Sequence, residues 1–95
     1  MPSAELIAEL LDLLNELATE TADYLDQQDD PQGWYNRGYA NGMAAALRER
    51  GFADEVDRII GSDPYDSTRD QATLPWGRAY EHGRELGYQD LCGVW

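Results

Sequence analysis

The chain has 95 residues, about one domain's worth, and its 42% hydrophobic and 11% aromatic content excludes a disordered polymer. Nineteen acidic residues face seven basic ones, all arginine, and the formal net charge of −12 argues against binding nucleic acid or anionic membranes and for meeting basic protein surfaces. The single cysteine, Cys92, excludes an intramolecular disulfide, and no apolar run approaches the length of a membrane span.

The charge is unevenly spread. From Met1 to Asn36 lie Glu5, Glu9, Asp12, Glu16, Glu20, Asp23, Asp26, Asp29 and Asp30, with no basic residue among them. From Arg37 onward ten acids face all seven arginines. The start of the chain carries no basic leader, so a cytoplasmic protein is expected.

Ser3 is a suitable N-cap for a helix beginning at Ala4, with Glu5 well placed in its first turn. Ile7, Leu11, Leu14, Ala18, Thr21 and Leu25 repeat at spacings of four and three, flanked by Leu6, Leu10, Leu13, Leu17 and Tyr24. This predicts a long amphipathic helix over 1–28. The acids run down its other side, where like charges repel, so stability must come from burying the leucine face. That face packs either on the rest of the domain or on a second copy, giving a homodimer.

Asp30 and Pro31 read as a cap followed by proline at the first helical position. The helix that follows has an inner face of Trp34 or Tyr35, Tyr39, Gly42, Met43, Ala46 and Leu47, with Gly51 as a left-handed stop and Phe52 folding back. A short helix at about 53–60 buries Val56, Ile59 and Ile60. Gly61 to Asp70 reads as an acidic loop. Pro75 opens a last helix presenting Trp76, Tyr80 and Gly83, closing near Gly87 and leaving an apolar tail over 88–95.

One pattern occurs twice. Arg37-Gly38-Tyr39-Ala40-Asn41-Gly42 is matched by Arg78-Ala79-Tyr80-Glu81-His82-Gly83, and each copy has a tryptophan upstream and a second small residue one turn on, Ala46 and Gly87. Gly38, Gly42 and Ala46, and likewise Ala79, Gly83 and Gly87, stand four apart on strips without side-chain bulk. Glycine inside a helix costs about 1 kcal/mol relative to alanine, and close helix crossing beside Tyr39 and Tyr80 is the simplest compensation. The expected architecture is one all-α domain of about four helices, an acidic N-terminal helix plus a helical hairpin over 31–87.

These motifs, with Pro64, Tyr65, Arg69 and Trp76, resemble the ribosome modulation factor family and its short relatives in bacteria and their phages. The resemblance covers Trp34 to Gly83. It implies a compact helical hairpin and, for the founding member, ribosome binding that silences translation. That founding member is strongly basic, whereas this chain is strongly acidic.

Catalytic chemistry finds little to work with. His82 is the one histidine, beside Glu81 and Glu85, with no nucleophile at recognisable spacing. Asp63, Asp66 and Asp70 do not match a calcium loop, and one histidine cannot complete a di-iron site. Neither a phosphate loop nor a zinc spacing occurs. No enzyme activity, cofactor or metal is expected. The leading expectation is an acidic protein-binding inhibitor or adaptor, in the limit a nucleic-acid mimic or phage anti-defence protein, whose nine N-terminal acids meet a basic, nucleic-acid-handling protein. The alternatives are a ribosome-associated translation modulator and a self-assembling helical protein.

Overall fold

The computed structural model describes residues 3–23, 30–60 and 74–94. Four helices and no strands occur among them: α1 (Ala4–Glu20), α2 (Pro31–Glu49), α3 (Ala53–Ile59) and α4 (Pro75–Gly93), an all-α domain.

The Ser3 cap forms as expected, its Oγ accepting from the Leu6 amide at 3.2 Å. Leu14 and Ala18 are the buried residues of α1, with Leu10, Leu11 and Leu17 packed at the margin of the core. The helix ends earlier than the apolar periodicity implies. Thr21 is its C-cap, and residues 21–23 are a turn. The hydroxyl of Thr21 donates to the Leu17 carbonyl at 2.6 Å, and Arg37 Nη1 donates to the Ala18 carbonyl at 3.3 Å. Carbonyls left open by the last turn thus find partners outside the helix, which lets it stop. The expectations on Tyr24, Leu25, Asp26, Asp29, the loop bearing Pro64, Tyr65 and Arg69, and Trp95 lie outside the described residues.

Asp30 occupies the N-cap of α2 ahead of Pro31, but its side chain makes no capping hydrogen bond. Proline supplies the fixed φ and removes one of the open N–H groups of the first turn. At the other end Gly51 has φ +97°, and the Gly51 and Phe52 amides donate to the Arg48 and Leu47 carbonyls at 3.2 and 3.0 Å. That is a Schellman turn, and it brings Phe52 onto the core below Leu47. The chain then enters α3, where Val56 is fully buried.

Helix α4 continues through Gly87 to Gly93, so residues 88–93 are not a separate tail. Leu91 is buried in the main core with Leu14, Ala40, Met43, Ala44, Ala46, Leu47 and Val56, while Val94 is exposed. A second cluster, Trp34 and Tyr80 with Trp76 against them, fills the other end of the α2–α4 pair. The Trp34 and Tyr80 rings meet edge to face at 6.3 Å.

Candidate functional site

The α2–α4 crossing is built on four glycines. A Cβ on Gly38 would lie 2.0 Å from the Tyr80 carbonyl oxygen, and one on Gly42 2.0 Å from that of Arg84. In return, Cβ atoms on Gly83 and Gly87 would lie 2.2 Å from the carbonyl oxygens of Tyr35 and Tyr39. Each glycine Cα–H is therefore aimed at a carbonyl of the other helix, at a separation no other residue permits.

These contacts fix the direction of the pair. Moving from Gly38 to Gly42 moves the partner from Tyr80 to Arg84, and moving from Gly83 to Gly87 moves it from Tyr35 to Tyr39. The two helices run parallel, where a hairpin would run up and down. They are also related by a local pseudo-two-fold, because an offset of 45 residues carries Gly38 to Gly83, Gly42 to Gly87 and Tyr35 to Tyr80. The repeat visible in the sequence pairs Gly38 with Ala79 and so lies one helical turn out of this register. Ala79 is half-buried, and Ala46 is buried in the main core.

The tyrosines expected beside the strips take polar partners. Tyr80 accepts a hydrogen bond from Asn41 Nδ2 at 2.6 Å inside the crossing, both residues being fully buried. Sequence reasoning missed Asn41, although an amide one residue from the glycine stripe is a usable sign of a buried partner. Tyr39 donates its hydroxyl proton to Asp90 at 2.6 Å, and Tyr88 donates to Glu49. Burial, then the hydrogen bond to Asp90, pushes the Tyr39 phenol up to about 12. The Tyr88 phenol is likewise pushed up to about 12, chiefly by the Glu49 hydrogen bond.

Five of the expected partner-binding acids, Glu5 to Glu20, stand on the outer side of α1, and Asp23 lies in the turn after it. Glu5, Glu9, Asp12, Glu16, Glu20 and Asp23 are all exposed, and none takes part in an ion pair among the described residues. Asp30 is exposed at the start of α2, off this helix. The leucine face is turned inward, and Leu13 is the one large apolar residue of α1 that stays exposed, at 41%.

A groove of about 620 Å³ runs along one flank of the crossing. Gly42, Ala45 and Glu49 of α2 form one side, and Glu81, His82, Arg84, Glu85 and Tyr88 of α4 the other. Leu10 and Leu13 of α1 approach the pair elsewhere, beside Tyr39, Met43 and Leu91. His82 and its two neighbouring glutamates therefore do share one surface, with the His82 ring 5.9 Å from that of Tyr35. Among the described residues no group of three histidine, cysteine or acidic side chains is placed to hold a metal ion. No helix among the described residues is long and apolar enough to cross a membrane.

No family model matches this chain, and no curated protein or solved structure matches it either.

Proposed function

We propose that this chain is a non-enzymatic acidic binding protein, an inhibitor or adaptor whose α1 carboxylates engage a basic, nucleic-acid-handling protein. The observation that supports this reading is the two-sidedness of α1. Leu14 and Ala18 anchor one side in the core, while five carboxylates from Glu5 to Glu20 are exposed on the other, followed by Asp23 in the turn. Holding them on a packed helix removes most of the ordering cost of presenting them to a partner.

At about 1.5 Å of rise per residue, acids three and four positions apart place one charge per roughly 5 Å of helix axis. One strand of DNA carries a charge about every 3.4 Å. The ladder is thus a sparser but regular counterpart of a phosphate strand, suited to a groove lined with arginine and lysine.

The test is charge reversal of Glu9, Asp12 and Glu16 to lysine, followed by partner capture from host lysate at low and high salt. Loss of a salt-sensitive nucleic-acid-binding partner, with unchanged helicity, is the expected result. Undiminished capture overturns the assignment of this surface.

A further inference from the structure

We infer that the α2–α4 groove is a second recognition site, one that takes an arginine side chain of the basic partner; this rests on the reading of the chain as an acidic binding protein. The glycine crossing makes the groove. Because Gly42 has no side chain, the helices close to backbone contact and the space between their flanking residues is left concave. Its volume, about 620 Å³, falls in the range of roughly 300–1,000 Å³ usual for ligand sites.

The chemistry of the walls selects the occupant. Three carboxylates, Glu49, Glu81 and Glu85, border the groove against one arginine, Arg84. Glu81 and Glu85 stand four apart on one face of α4, a like-charge pair that opposes the helix and that an incoming cation relieves. Glu49 accepts a hydrogen bond from the Tyr88 hydroxyl. That carboxylate is oriented before any ligand arrives. Tyr88 adds an aromatic wall. Planar bidentate pairing with carboxylate, together with stacking on an aromatic ring, is the chemistry of guanidinium rather than of an ammonium group. The groove flank is separate from the side that α1 covers, so it and the α1 ladder are distinct surfaces.

The experiment is an amide-resolved NMR titration of the full chain with N-acetyl-arginine amide and, in parallel, its lysine counterpart. The expected result is saturable shifts at Gly42, Ala45, Glu85 and Tyr88, stronger for arginine and retained in the Glu9→Lys, Asp12→Lys, Glu16→Lys protein. The paired change Glu81→Gln with Glu85→Gln, at side chains whose loss leaves the core intact, should weaken binding about tenfold or more. Shifts that do not saturate and follow the acids of α1 and α4 alike, or that survive the paired change, overturn the inference. A silent groove in a chain whose α1 reversal still abolishes partner capture removes the groove alone. A responsive groove with undiminished capture removes the α1 assignment alone.

Discussion

The carbonyl oxygen of Tyr80 stands 2.0 Å from where a Cβ on Gly38 would be, and Gly38 has no Cβ. Because the obstructing atom is backbone, neither partner yields by rotating a side chain. Gly38→Ala should therefore destabilise the fold by more than about 2 kcal/mol, even though alanine favours the isolated helix by about 1 kcal/mol. Gly83→Ala should match it, since its Cβ would meet the Tyr35 carbonyl at 2.2 Å. Gly93, with nothing within 4 Å, is the control. Chemical denaturation of the three variants checks the ordering, and equal stabilities would rule out the crossing.

Gly51 tests a different property of glycine. A Cβ there meets open space, but φ is +97°. Gly51→Ala should cost about 1 kcal/mol through backbone strain alone, with no change in core packing seen by tryptophan fluorescence.

The Asn41–Tyr80 hydrogen bond is fully buried. Tyr80→Phe removes the acceptor and leaves the Asn41 amide to be satisfied elsewhere, a loss of about 1–3 kcal/mol. Asn41→Leu together with Tyr80→Phe should recover part of it, because no polar group then remains stranded. Thermal melts of the two single variants and the double decide the coupling.

Tyr39 gives the fold an alkaline limit. Its folded-state pKa of about 12 lies above the ordinary value of 10.0, so the folded chain favours the protonated phenol. Its contribution is complete below pH 10 and is lost as pH rises through 12. Its side chain remains largely solvent-screened, which holds the effect to about 1 kcal/mol. Tyr39→Phe should flatten the stability profile between those limits, and phenolate absorbance during an alkaline titration should show two tyrosines, 39 and 88, ionising late. Ordinary midpoints for both would contradict the Asp90 and Glu49 hydrogen bonds.

Salt should stabilise this protein. Glu5 and Glu9, Asp12 and Glu16, and Glu16 and Glu20 each stand four apart, and such like-charge pairs oppose a helix by about 0.2–0.5 kcal/mol each. Screening them should raise the melting temperature between low and moderate ionic strength. A fall instead would mean that attractive pairs such as Arg48–Asp57 outweigh the ladder.

Helix identity was largely written in the sequence. Ser3, Pro31, Gly51 and Pro75 act by local backbone chemistry, and each marks a boundary where the residue alone implies one. The glycine strips were legible as a close crossing for the same reason. What a strip does not carry is its partner's direction or register. The repeat around Arg37 and Arg78 aligns by residue type, whereas the structure aligns Gly38 with Gly83, because carbonyl approach depends on missing Cβ atoms and not on neighbouring arginines. Gly87 is ambiguous in the same way, since the lack of a side chain suits both a helix end and a helix contact. The end of α1 depends on Arg37, sixteen residues beyond Thr21, and local periodicity contains no trace of it. Of the candidate site, the acid ladder could be read from spacing alone, but the groove could not, since it exists only once α2 and α4 lie side by side.

Parallel helices add their peptide dipoles where antiparallel ones cancel them. In this pair the two positive ends, at Pro31 and Pro75, lie together, and so do the two negative ends near Glu49 and Gly93. Glu49 and Asp90 lie at the negative end, where each accepts a hydrogen bond from a tyrosine hydroxyl, and Arg48 and Arg50 stand against them. The pair is thus poled along its length although its side-chain charges, four acids and four arginines, cancel. A charged surface approaching the pair therefore meets a field with a direction, set by the aligned peptide dipoles.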